Sequence, residues 1–346
     1  MSRTLDARPE LLADPPRVVR AADELGTEAV AVMLTAPSVP ALLERLGITG
    51  EDQEQLLALL PRAAADPELL AAVTDAANRL RASAGLDTEP VDLEARKVTH
   101  DALQQRLLPG EGLIPILAFL VSTATVRTWH ELRGLEEEDS WHVLADLGQQ
   151  MRVHRAGTGR LGLHQLNWVA LNWAGRLVHL GRLQFDLSLR PIALLEHGAD
   201  PAAADEPRRW VIGTHIPATG PLDPETVEAS FAAATAYFTT HYADLGAGRS
   251  TDEPAFGHEF LCDSWLLSDA LAEITGEQSN LARFAARWER IDADPQGADS
   301  ALFFVFGLRP PVDPSALPRR TRLEQAVAER LADGRGWVSV TGRLLR

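Results

Sequence analysis

The chain has 346 residues, 45% of them apolar, enough for about two domains with buried cores. Its formal net charge of −16 lies mostly in the first 150 residues, and a surface of that sign repels phosphate backbones and anionic lipid, so neither nucleic-acid nor membrane-surface binding is expected. A single cysteine, Cys262, excludes an intrachain disulfide and a multi-thiolate zinc cage, and it suits a reducing cytoplasm.

The opening stretch MSRTLDARPELLADPP is broken by charges and prolines and lacks the apolar core of a signal peptide. From there to about position 155, apolar residues recur three and four apart, as at Leu56, Leu59 and Leu60, then Leu69, Leu70, Val73, Ala77 and Leu80. That is helical spacing. Breaks are expected at TAPSVP, at GITGED, near Pro61, at ADPE and at EEEDS. In ADPE, Asp66 reads as an N-cap and Pro67 as the first helical residue, where its missing N–H has no partner to lose. The acidic run Glu136–Asp139 reads as a solvated loop. LIPILAFLVSTATV, Leu113 to Val126, falls short of the roughly 20 apolar residues that span a bilayer and reads as a buried helix. His100, His130, His142 and His154 stand alone, without metal-ligand spacing, and read as surface or structural residues. Residues 1–155 are expected to form an all-helical domain.

After HRAGTGRLG the rhythm changes. LHQLNWVALNWAGRLVHL reads as one more amphipathic helix, and LGRLQFDLSL then alternates, with Leu183, Phe185, Leu187 and Leu189 on one side and Arg182, Gln184, Asp186 and Ser188 on the other. That is the period of a half-buried strand. RPIALLEHG and RRWVIGTHI read as further strands, Asp223 to about His241 as a helix, HEFLCDSWLL as a strand, SDALAEITGEQSNLARFAARWERI as a helix interrupted near Gly276, and SALFFVFGL as a strand. LEQAVAERLADG and GWVSVTG follow as a last helix and strand. Strands and helices in this order make an α/β unit.

The stretches HIPATGPL, FLCDSWLL, SNLARF and LPRRTRLEQAV resemble a bacterial family of acyltransferases with an N-terminal helical (N-acyltransferase N-terminal) domain and a GNAT-like C-terminal domain. The resemblance covers essentially the whole chain and is strongest from Leu161 to Gly342. It implies an α+β fold: the all-helical domain at 1–155, then at 156–346 a mixed, mostly antiparallel sheet flanked by helices. It implies acyl-CoA as co-substrate, no metal, and a small amine or polar molecule as acceptor. In such a fold two neighbouring strands diverge and the acyl-CoA enters between them. Here Trp210 to Ile216 and Glu259 to Leu267 would be that pair.

The turn between the first of these strands and the next helix has two readings. Ile216, Ala218, Thr219, Gly220 and Leu222 line the cofactor's phosphates with main-chain N–H groups, or PATG is a plain turn with Asp223 capping the helix and Pro224 as its first residue. The usual GNAT pattern in this loop is broken, since Pro217 and Leu222 stand where Gln or Arg and Gly or Ala are usual. Asp223 and Glu225 also place two carboxylates in the first turn.

Acyl transfer needs a base, oxyanion donors and a proton source for the thiolate. His215, at the end of its strand, is the candidate base, with main-chain N–H groups near His215 and Ile216 as oxyanion donors. Cys262 and Ser264 alternate on the second strand and share a face, so Ser264 could bind substrate or thiolate and Cys262 could form a covalent intermediate; an inert, buried cysteine is the competing reading. Asn280 matches a GNAT asparagine that contacts the pantetheine arm, or SN caps a helix. The tyrosine many GNAT enzymes use as acid is missing between Ser268 and Asp292. That absence keeps open a second function, a non-catalytic GNAT-like module that binds acyl-CoA or a protein partner.

Overall fold

The computed structural model describes residues 24–86, 89–198, 206–217, 220–295, 297–308 and 310–346. The chain divides into two compact units between Val178 and His179.

The first unit is helical: α1 (Thr27–Leu34), α2 (Val39–Arg45), α3 (Gly50–Ala65), α4 (Pro67–Ala82), α5 (Lys97–Gln104), α6 (Leu113–Leu132), α7 (Glu137–Leu144), α8 (Asp146–Thr158) and α9 (Leu166–Trp173). Asp66 caps α4 as its sequence predicts, accepting hydrogen bonds from the Glu68 and Leu69 amides at 3.1 Å. α3 runs through Pro61 instead of breaking near it. The proline takes one donor from the last turns, and the buried side chains of Leu56, Leu59, Leu60 and Ala63 hold the helix regardless. The acidic run is no loop either. Glu137, Glu138 and Asp139 form the first turn of α7, where negative charge favours the positive end of the helix dipole.

α6 is the core element. It is longer than the apolar run that announces it, and by length and composition alone it could cross a membrane; 78% of its most apolar window is buried within the unit. Trp173 of α9 packs its ring on Phe119 of α6, with centroids 4.7 Å apart, and donates its indole N–H to the Phe119 carbonyl at 3.0 Å. His100, His130 and His154 are buried and His142 is exposed. Burial lowers the pKa of all three buried imidazoles, His130 to about 3.

The second unit is built on a six-stranded sheet of order β1-β2-β3-β4-β6-β5, from β1 (Leu177–Leu180), β2 (Leu183–Pro191), β3 (Arg208–His215), β4 (Glu259–Ser264), β5 (Glu289–Asp294) and β6 (Ser339–Leu345). β2 with β3, β4 with β6, and β5 with β6 are antiparallel, whereas β3 and β4 are parallel. α10 (Ile192–His197), α11 (Pro224–His241), α12 (Asp269–Thr275), α13 (Asn280–Ala285), α14 (Ala298–Phe306) and α15 (Arg322–Ala332) complete it. On one face Phe185 of β2, Phe260 of β4 and Phe231 of α11 meet edge to face at 5.1 to 5.9 Å.

Four elements differ from their sequence reading. Leu177–Leu180, read as the end of a helix, is the edge strand β1, because the helix stops at Trp173 and Gly175 turns the chain. Ile192–His197 is helix, not strand. Ala298–Phe306 is also helix: its inward residues Ala301, Leu302, Val305 and Phe306 follow helical spacing, while Phe304 is 63% exposed. A short run this apolar fits strand and helix equally until its burial is known. Conversely Glu289–Asp294, read as a helix end, is the edge strand β5. It shows no alternation because it is charged and largely exposed, as suits an edge, and only its ladder to β6 defines it.

Candidate active site

β2 and β3 pair without interruption from Pro191 opposite Arg208 to Gln184 opposite His215. On its other side β3 meets β4 at two rungs alone, Ile212 with Phe260 and Gly213 with Leu261. Both strands continue, β3 to His215 and β4 to Ser264, and over that length β4 is paired with β6 as far as Val340. The ladder between the parallel strands therefore ends at Gly213 and Leu261, before either strand does.

Alternation decides what each face of the sheet carries there. Gly213, His215, Leu261 and Asp263 share one face with Gln184 and Asp186, which stand opposite His215 and Gly213. Thr214, Phe260, Cys262 and Ser264 belong to the other face. On the first face, His215 Nε2 lies 2.8 Å from Asp186 Oδ1, and Ser188 donates its hydroxyl to Asp186 Oδ2 at 2.9 Å. The Asp186 side chain is 12% exposed and the His215 ring 34%. Burial pushes the Asp186 carboxyl up, but His215, Ser188 and Arg190 together hold it below the usual carboxylate range. An ionised carboxylate on Nε2 fixes the tautomer that donates there and leaves the lone pair on Nδ1. This is the arrangement of an oriented general base.

Gly213 makes the pair possible. A β-carbon there would fall 1.8 Å from Asp186 Oδ1, so only glycine lets the carboxylate lie across the strand. Asp186 and Gly213 are candidate site residues that sequence reasoning missed. Asp186 was visible as part of a polar strand face, but its link to His215, 29 residues away, exists only through the β2–β3 register.

The other predicted residues scatter. Cys262 is 1% exposed on the face away from His215, and burial pushes its thiol well up, so the structure does not bring the two together. Ser264, on that same face, accepts the Leu266 amide at 3.1 Å and caps the 3₁₀ turn Trp265–Leu267. Ser279, not Asn280, caps α13, accepting from Ala282 at 3.1 Å, and Asn280 is the half-buried first residue of that helix. In the turn after β3, Ile216 and Pro217 are half-buried and Gly220 is exposed at φ 105°, while Ala218 and Thr219 lie outside the described residues. Leu222 buries its side chain, and its N–H makes no hydrogen bond among the described residues. Asp223 caps α11 through the Glu225 and Thr226 amides at 3.2 and 3.1 Å. Among the described residues no group of three or more His, Cys, Asp or Glu side chains is placed to hold a metal.

Two family models match the sequence: the N-acyltransferase N-terminal domain over residues 37–175 and the GNAT-like C-terminal domain over residues 177–344. The chain joins an N-acyltransferase N-terminal domain to a GNAT-like C-terminal domain. With the acyltransferase structures it resembles, this makes it an acyltransferase. No curated protein matches it. Solved structures do. An acyltransferase in complex with decanoyl-CoA is 26% identical with a TM-score of 0.65, over 93% of this chain and 100% of that one. An acyltransferase mutant in complex with octanoyl-CoA is 27% identical with a TM-score of 0.65, over 88% and 86%. An acyltransferase in complex with decanoyl-CoA and teicoplanin is 25% identical with a TM-score of 0.66, over 93% and 99%. In the GNAT-like domain the diverging pair expected of the fold is β3 and β4.

Proposed function

We propose that this acyltransferase moves an acyl group from acyl-CoA to the amine of a small polar acceptor, with His215 as general base. The observation that carries the reading is the His215–Asp186 pair at 2.8 Å beside the point where β3 and β4 separate. Neighbours that hold octanoyl-CoA, decanoyl-CoA and teicoplanin support the donor and make a polar small molecule the acceptor class to test first.

Acceptor nitrogen attacks the thioester carbonyl while Nδ1 of His215 takes its proton, and Asp186 stabilises the imidazolium that results. Main-chain N–H groups near His215 and Ile216, past the last rung to β4, are the candidate oxyanion donors. As the C–S bond breaks and the amide C–N bond is left, the imidazolium returns its proton to the thiolate. No tyrosine stands on α12 or α13 to act as acid.

The test is release of CoA thiol from decanoyl-CoA in the presence of an amine panel that includes teicoplanin, with mass spectrometry of the product. His215→Ala is expected to lower kcat by about 10² or more. Unchanged turnover in that variant would remove His215 from the chemistry.

A further inference from the structure

A second charged side chain of β2 acts on the Asp186–His215 pair. Arg190 stands directly opposite Arg209 of β3, and like charges placed so push apart. The Arg209 guanidinium goes to Glu196, Glu253 and Glu259, at 2.7 to 3.2 Å, and Glu259 is the first residue of β4. Arg190 goes toward the opposite end of that strand. It reaches past β3 to β4, where its Nη2–H donates to Asp263 Oδ2 at 2.9 Å.

Two observations set this pair apart from an ordinary surface contact. The first is place. Asp263 lies two residues past Leu261, the last rung that β4 makes with β3, and on the face that carries His215. The ion pair is thus a side-chain link from the unladdered end of β4 to the strand that holds Asp186. The second is charge. Burial raises the Asp186 carboxyl, and His215, Ser188 and Arg190 together outweigh it. Asp186 has His215 of β3 and Arg190 of its own strand acting on it, Arg190 has Asp263 of β4, and Arg209, Glu259, Arg343 and Glu196 compensate one another farther along. With its side chains 38% and 47% exposed, the Arg190–Asp263 pair adds little to stability, so its worth lies in what it places.

Resting on the reading of His215 as general base, we infer that Arg190 is a positioning residue for that base: it ties the end of β4 to the strand that carries Asp186, and Asp263 cancels the charge this brings beside the pair. A lone cation there would oppose the imidazolium that forms when His215 takes the acceptor's proton, and a lone anion would hold a proton on the pair before the acceptor arrives. A matched pair ties the strands and does neither.

NMR titration of the labelled His215 ring, assigned with His215→Ala, reads the charge, and turnover of decanoyl-CoA with the amine panel reads the tie, both on the full chain. Arg190→Met leaves the Asp263 anion uncompensated and is expected to move the titration midpoint of the His215–Asp186 pair up by about half a unit at low salt. Asp263→Asn leaves the Arg190 cation uncompensated and is expected to move it down by about as much. Both shifts shrink in about 0.5 M salt. Each variant loses the tie, so kcat is expected to fall about tenfold or more in both, with KM for decanoyl-CoA within about threefold of wild type. Arg190→Lys keeps the charge and is expected to restore the midpoint. Midpoints that move the same way in Arg190→Met and Asp263→Asn, or not at all, would overturn the assignment, as would wild-type kcat in Arg190→Met. Wild-type protein that turns over none of the amines, or His215→Ala with unchanged turnover, would instead sink the base reading, and this role with it. Thermal melting identifies a variant that fails to fold, and Asp263→Asn and Arg190→Lys then carry the comparison.

Discussion

The Asp186 carboxylate lies across Gly213 so closely that the two residues cannot coexist if the second gains a side chain. Gly213→Ala would push Asp186 off the strand and with it the hydrogen bond to His215. The expected outcome is a loss of about 1–3 kcal/mol in stability, from overpacking, and a fall in kcat comparable to that of losing Asp186 itself. Denaturant unfolding and steady-state kinetics check both, and an alanine variant with wild-type kcat would show that the carboxylate need not lie there.

Asp186→Asn keeps the shape and removes the charge. Its amide no longer enforces the tautomer with the lone pair on Nδ1 and no longer stabilises the imidazolium, so kcat is expected to drop by about 10² to 10⁴ while KM for acyl-CoA stays within about threefold. A drop confined to KM would place Asp186 in binding.

Cys262 is buried on the sheet face away from His215. Cys262→Ala is therefore expected to leave kcat within about twofold of wild type, with any cost appearing as lower stability. Loss of turnover, or an acyl group on this thiol in intact-mass spectra, would reinstate a covalent route.

His130 is 1% exposed inside the helical domain, with Nδ1 2.9 Å from the Ser140 hydroxyl. Its ring stays neutral in the folded state down to about pH 3, whereas the unfolded chain takes up the proton near 6.5. Stability is thus complete above pH 6.5 and is lost as the pH falls from 6.5 toward 3, by up to about 1.4 kcal/mol per pH unit for this one group. His100 and His154 add to the same trend, since burial lowers both. Denaturant unfolding at pH 7, 6 and 5 should show a shallower decline in His130→Gln than in wild type.

What the sequence discloses follows from which forces are local. The caps at Asp66 and Asp223 act over two or three residues and are legible as ADPE and LDPE. Alternation over Leu183 to Leu189 marks β2, and the strand-end position marks His215. What stays hidden depends on partners far along the chain. β5 is a strand because β6 lies beside it, a fact on which its own run of charged side chains is silent. Asp186 matters because the register places it over Gly213, and Arg182 reaches a turn more than thirty residues away.

The two-rung seam between β3 and β4 has a mechanical corollary. Past Gly213 and Leu261 the two strands share no further rung among the described residues. A thioester arm carrying secondary amides, lodged there, would finish the stitching across the middle of the sheet. The empty enzyme should breathe along this line, and the loaded one should be a stiffer body whose amide hydrogens at 214–216 and 262–264 exchange more slowly.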